Sequence, residues 1–261
     1  MKIDKKIKYV VAPEFMELES WISQLHLSFS GTGETIFKSR NEVKIFNVGK
    51  FQLNVKSFKI PNFINRFVYV YFRGSKAARS YHYARKFFAL GIATPAAAGY
   101  LECIRFGLLR ESYYISRHYN YEFTLREVLN YKVADHDEIL KQWVRFTYEK
   151  LHLNHIFHLD YSPGNTLISL QPDGYDFQIV DLNRMSFGPI SFERGLFNFR
   201  QLDTDRQTLE FLATEYASLC GKDSGKAMKM LIEYDHKNKE DRHRRGRFKK
   251  FMKSVFKLRR A

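Results

Sequence analysis

The chain has 261 residues, of which 44% are hydrophobic and 16% aromatic. That is enough for a buried core in one two-lobed domain or two small ones, and it excludes general disorder. A net charge of +15 points to anionic partners: nucleic acid, anionic lipid or a phosphorylated substrate. Cys103 and Cys220 stand alone, so neither a disulfide framework nor a zinc motif is expected, only reduced thiols.

Met1 to Trp21 mixes charges throughout, and no secretory leader is expected there. Residues Ile7 to Leu27 read as a short strand and then a helix, with Pro13 at its start and Phe15, Leu18, Trp21, Ile22 and Leu25 on one apolar face. From Glu34 to Phe58 the pattern turns to alternation. Ile36, Val43, Ile45, Phe51, Leu53 and Val55 predict three strands, with turns near Ser39-Arg40-Asn41 and Val48-Gly49-Lys50. Ser75 to Leu90 returns to helical spacing and stops at Gly91. Phe87 to Leu101 is the longest run without charge, and it is too short to span a bilayer. Strands follow near Gly99 to Ile104 and Glu111 to Arg117, then a linker to Tyr121.

The second half opens with a short helix, Phe123 to Asn130, and a longer one, His136 to Leu151, burying Leu140, Trp143, Val144, Thr147 and Leu151. A polar loop (His158 to Asn165), a strand (Thr166 to Leu170), a turn at Pro172-Asp173-Gly174 and a second strand (Phe177 to Val180) come next. Helices are expected from there on. The fold class is therefore α+β, a strand-rich half with one internal helix followed by a mostly helical half.

The informative stretch is His158-Leu159-Asp160-Tyr161-Ser162-Pro163-Gly164-Asn165, followed by a hairpin that delivers Asp181 in Ile179-Val180-Asp181-Leu182-Asn183. This is the H-x-D-x-x-x-x-N arrangement of kinases with an Asp at a strand end. Phosphoryl transfer from ATP needs an aligned acceptor hydroxyl, a proton acceptor and neutralised phosphates. Asp160 suits the first two tasks. Asn165 and Asp181 offer hard oxygen ligands for Mg²⁺. His158 suits a packing role in the loop. The competing reading of Asp160 and Asn165 is a simple turn cap. His152, His155 and His158 could also suggest a metal cluster, but spacings of three with no cysteine or fourth ligand nearby do not make a zinc site.

These residues carry a resemblance. Leu151-His152 through Asn165 and Asp181-Leu182-Asn183-Arg184 resemble the bacterial lipopolysaccharide kinase family, as do Val55-Lys56-Ser57-Phe58-Lys59, Ser80-Tyr81-His82-Tyr83-Ala84 and Leu90-Gly91-Ile92-Ala93-Thr94-Pro95. The resemblance covers about residues 34 to 200. It implies a protein-kinase-like two-lobed fold, ATP and Mg²⁺, and phosphorylation of an inner-core sugar, Kdo before heptose. It also implies a lipid-anchored anionic glycan as acceptor, and hence a cytoplasmic enzyme, peripheral at the inner face of the inner membrane. Ser162 replaces the Lys that protein kinases carry two positions after the catalytic Asp, no A-P-E follows Asp181, and the D-F-G position reads Asp181-Leu182-Asn183. All three departures favour a small or glycan acceptor over a protein.

The phosphate-binding Lys is expected at Lys56, opposite the Phe51-Leu53-Val55 row, with Lys59 as the alternative. Its usual Glu partner has no counterpart on the Ser75–Leu90 helix, where the resemblance places His82 at that position. The hairpin at Phe37 to Val43 also lacks glycine, so close backbone cover of phosphates is not expected. These departures keep a second class in view, a pseudokinase or nucleotide-binding scaffold at the membrane.

The expected organisation is residues 1–118 as N-terminal extension and N-lobe, 119–241 as helical C-lobe and 242–261 as a basic tail. Arg242 to Arg260 holds ten Lys or Arg, with Phe248, Phe251, Met252, Val255, Phe256 and Leu258 at helical spacing. That pattern suits an amphipathic element on an anionic membrane surface. It equally suits a terminal helix packed on the C-lobe with a solvated charged face. No nucleic-acid motif accompanies the charge. Neither nucleic acid nor an obligate protein partner is expected.

Overall fold

The computed structural model describes the backbone of residues 5–258 and the side chains of 6–248. The described chain divides into two compact units: residues up to Tyr121 together with Gln178–Arg184, and Glu122–Phe177 with Met185 onward.

Alternating apolar residues build the first unit. β1 (Lys5–Val11) leads through a 3-10 turn (Pro13–Leu18) into α1 (Glu19–Ser28), which buries Ile22 and Leu25. β2 (Glu34–Lys38), β3 (Glu42–Val48) and β4 (Phe51–Ser57) form a meander, the last turn eased by Gly49 at φ +55°. α2 (Phe63–Tyr71) and α3 (Lys76–Ala89) are each N-capped, by Asn62 Oδ1 accepting from the Asn65 N–H (2.9 Å) and by Ser75 Oγ accepting from the Ala78 N–H (3.1 Å). β5 (Ala97–Arg105) and β6 (Leu108–Arg117) complete an antiparallel sheet in the order β1-β5-β6-β4-β3-β2. A Cβ at Gly99 would lie 2.4 Å from the Val10 carbonyl, so β1 can lie against β5 there only over a glycine.

In the second unit, β7 (Phe123–Thr124) runs into α4 (Leu125–Leu129), whose start is fixed by a capping box between Thr124 and Glu127. α5 (His136–Phe146) buries Ile139, Leu140, Trp143 and Val144, and continues as a π-helical turn (Thr147–His152). Then come β8 (Ile156–His158), a 3-10 turn (Pro163–Asn165), β9 (Thr166–Gln171) and β10 (Gly174–Ile179). β11 (Met185–Phe187) pairs back on β8, and α6 (Phe192–Asn198), α7 (Arg206–Cys220) and α8 (Ser224–Leu258) follow.

Three local readings change. The helix expected over Phe123–Asn130 begins two residues later, because Thr124 is spent as its cap. Met185–Phe187 is a strand and not part of a helix. α2 occupies a stretch between Phe58 and Ser75 to which the sequence reading assigns no element, and its large apolar residues face outward. The expected tail is the far end of α8, and the apolar positions Phe251, Met252, Val255, Phe256 and Leu258 lie outside the described side chains.

Candidate active site

Within the first unit, β4 alternates so that Leu53 and Val55 are buried in the core while Lys56 turns to the other face. Lys56 Nζ pairs with Asp181 Oδ1 at 2.7 Å, both side chains being about a quarter exposed or less. Lys59, the alternative, lies beyond the end of β4, exposed, with its backbone N–H on Asn41 Oδ1 at 3.1 Å. Lys56 is thus the lysine brought to Asp181.

Asp181 arrives on a fixed segment. The Ile179 N–H donates to the Ala93 carbonyl (3.2 Å), and Thr94 Oγ1 donates to the Ile179 carbonyl (2.8 Å). Asp181 itself is left-handed at φ +59°, a conformation that Asp tolerates better than most residues but that still costs energy. Asn183, buried, donates its side-chain amide to Asp181 Oδ1, and its carbonyl accepts from Arg79 Nε at 3.2 Å. The carboxylate is therefore held from two sides, by an ammonium and an amide.

The helix that usually supplies an acid supplies cations. His82 is exposed, with its ring edge-on to Tyr81 and Tyr100, and it makes no contact with Lys56. Lys76, at the first turn of α3, has its Nζ 6.0 Å from the Phe58 ring, the same ring that Lys56 Nζ approaches at 5.4 Å. Burial, together with the Arg184 and Arg40 guanidinium groups, lowers the Lys76 pKa, while Asp181 pulls it up. Arg40 belongs to the glycine-free turn between β2 and β3. Lys76, Arg79 and Arg40 are functional candidates that motif reading missed. The signal was present as α3's lack of any acid, but only the fold shows which of its cations approach Asp181.

In the second unit, the loop after β8 rests on a buried aromatic base. Tyr161 stacks on Trp143 with 5.4 Å between centroids, and its hydroxyl is 2.8 Å from Thr147 Oγ1. Trp143 Nε1 donates to Thr166 Oγ1 at 3.3 Å. His158 is fully buried; its Nδ1 accepts from the Asp160 N–H (3.1 Å) and its carbonyl accepts from Asn198 Nδ2 (2.9 Å). It packs the loop, as its place in the motif suggested.

The Asp160 carbonyl accepts from the Ser162 N–H and from Asn165 Nδ2, each at 2.8 Å. The nitrogen end of the Asn165 amide thus faces the loop, which leaves the oxygen end for a ligand. Asn165 Oδ1 in this unit, and the Asp181 carboxylate in the first, are each hard oxygen donors of the kind that suits Mg²⁺. Arg200 is half-buried, 3.9 Å over the Phe197 ring; burial lowers its pKa while Asp160 raises it. Arg200 is thus a cation near enough to Asp160 to feel its charge, in a loop where Ser162 carries none. Among the described residues His152, His155 and His158 form no metal cluster.

No family model and no curated protein matches the chain. Among solved structures, WaaP in complex with acyl carrier protein superposes with a TM-score of 0.56 at 13% identity, covering 89% of this chain and 98% of that one. The Rio2 kinase-ADP/Mg²⁺-phosphoaspartate complex from Chaetomium thermophilum matches with a TM-score of 0.48 at 12% identity, over 83% of this chain and 76% of that one. An antiparallel-sheet N-terminal unit followed by a mostly helical one, with the WaaP likeness spanning nearly the whole chain, is a protein-kinase-like fold.

Proposed function

We propose that the protein is an ATP-dependent phosphotransferase acting on a sugar hydroxyl of an anionic, lipid-anchored glycan, Kdo before heptose. The observation that carries the reading is the 2.7 Å pairing of Lys56 with Asp181, 125 residues apart in sequence, at a strand face and a strand end. In this reading the Asp160 carboxylate orients the acceptor hydroxyl. The hydroxyl oxygen attacks the γ-phosphorus, the bond from that phosphorus to the ADP oxygen breaks, and the hydroxyl proton passes to Asp160. Lys56 neutralises phosphate charge, and Asn165 and Asp181 are the residues that would hold Mg²⁺, which would supply positive charge against the phosphates. Arg200 steadies charge at Asp160.

The basic tail and the membrane-anchored acceptor support a cytoplasmic enzyme held peripherally on the inner leaflet. A second reading, a nucleotide-binding scaffold, is favoured by one observation: Lys56 is paired to the metal ligand itself and no helix acid competes for it. Incubation with Mg·ATP and defined Kdo-lipid or heptosylated acceptors, read by product mass, separates the two. Gain of one phosphate on the sugar supports the enzyme. Nucleotide binding without turnover on any acceptor supports the scaffold.

A further inference from the structure

α2 is built inside out. None of its residues is buried, and Phe63 (68% exposed), Ile64 (72%), Phe67 and Tyr71 lie on one outward face, extended by Ile60 before it and Phe72 (77%) after it. The other side is anchored: Arg66 Nε donates to the Leu109 carbonyl at 2.9 Å, and Tyr69 lies against Arg79 at 5.3 Å. The outward face is therefore fixed in place. Beside it sits the β5–β6 hairpin tip, since a Cβ on Gly107 would lie 2.8 Å from the Tyr71 hydroxyl. There Phe106 adopts φ +52°, an unfavourable conformation for a Phe, and more than half of its side chain is exposed.

The sequence segment that carries α2 has charge of one sign, although β5 and β6 beside it hold the buried Glu102 and the half-buried Glu111. From Val43 to Leu101 the sequence holds no Asp or Glu and ten Lys or Arg. Lys59 and Arg73 flank α2, and Arg105 lies 5.1 Å over the Phe106 ring. A second copy of the chain docking face to face would bring these cations together with no acid in the segment to meet them. An aromatic face rimmed by cations fits an interfacial helix on anionic lipid.

We propose that the outer face of α2, together with Phe106, inserts into the interface of an anionic lipid membrane. This is a docking element separate from the basic tail, and it does not depend on the phosphotransferase reading. Because insertion is apolar, it survives salt that screens surface charge.

The test is flotation of the full chain with vesicles of phosphatidylcholine and phosphatidylglycerol, at low and high salt, beside light scattering for oligomeric state. Phe63→Ser with Phe67→Ser should lower partitioning by about tenfold or more, most clearly at high salt, as lost burial of two large side chains requires. Phe106→Ser alone should lower it by about threefold. Phe106→Ser decides the matter should the double variant melt early. Unchanged partitioning in folded variants overturns the proposal. So does a wild-type dimer that the substitutions dissolve without changing lipid binding, or an acidic protein ligand that binds the patch while vesicles do not.

Discussion

At the scale of single residues, the backbone of Asp160 ties the loop together: its carbonyl accepts from the Ser162 N–H and Asn165 Nδ2, and its N–H donates to His158 Nδ1. An isosteric amide in place of the carboxylate leaves these backbone bonds in place. Asp160→Asn should therefore cut sugar phosphorylation by on the order of a thousandfold while the thermal midpoint stays close to wild type. Near-wild-type turnover in the folded variant would remove Asp160 from the chemistry. Lys56→Met should lose activity by about a hundredfold or more, yet change stability by less than about 1 kcal/mol, since its ion pair is partly solvated. Parallel melts and assays measure both. His152 behaves differently. It is buried, with Nδ1 2.9 Å from the Tyr216 hydroxyl and Nε2 3.2 Å from Asn198 Oδ1. Burial pushes its pKa down to about 4, with Arg194 adding to the shift and the Asn198 bond opposing it. The folded state thus resists protonation more than the unfolded chain does. Its contribution is complete above the unfolded value near 6.5 and is lost progressively as pH falls toward about 4, amounting to about 3 kcal/mol. Denaturant midpoints should drop across that window in the wild type, and the His152→Gln difference isolates this group from the carboxylates that titrate lower. A slope unchanged by His152→Gln would assign the acid sensitivity elsewhere.

At the scale of elements, α3 is where the proposed phosphate site departs from the expected pattern. Its acid-free sequence forecast a missing ion pair, and the fold shows what stands there: Lys76 and Arg79 approach the Asp181 segment, while His82 faces solvent. Lys76→Ala should weaken Mg·ATP binding several-fold, and His82→Ala should leave it within about twofold, the usual reach of a surface substitution. Calorimetric titration of both variants checks this, and equal effects would refute the assignment. Period-two alternation made β2, β3 and β4 legible, and with them the outward direction of Lys56. The loop from His158 to Asn165 and the hairpin after it were legible because turn residues punctuate two short apolar runs. The outward direction of α2 was not, because an apolar stripe at helical spacing normally marks a core face, and here it marks the surface. The cation cluster was not either: Arg40, Lys56, Lys76 and Arg184 come from four separate places in the sequence, and only tertiary packing joins them.

At the scale of the whole molecule, the excess charge has a second concentration at the C-terminal end of α8. Among the described side chains of that helix, Ala227, Leu231 and Asp235 are the buried ones, and Asn238 Nδ2 donates to the Arg200 carbonyl at 2.9 Å. From Arg242 to Phe248 every described side chain is exposed, and the pairing of Arg242 with Asp203 at 3.2 Å is a solvated one. Cutting the chain after Asp241 thus removes no buried side chain among those described. It should cost less than about 1 kcal/mol of stability and leave Mg·ATP binding intact, because the proposed ligands all precede Asn183. It should weaken binding to anionic vesicles at low salt, since each basic residue near such a surface contributes about 1 kcal/mol. That loss should fade as salt rises, because surface charges are screened beyond about 8 Å at physiological ionic strength. A salt-resistant remainder is what the proposed insertion of α2 should leave. Co-sedimentation of the full-length and truncated chains over a salt series reads both parts at once. Equal sedimentation at every salt, or a truncated chain that does not fold, would make this end of α8 a structural element and remove it from the membrane contact.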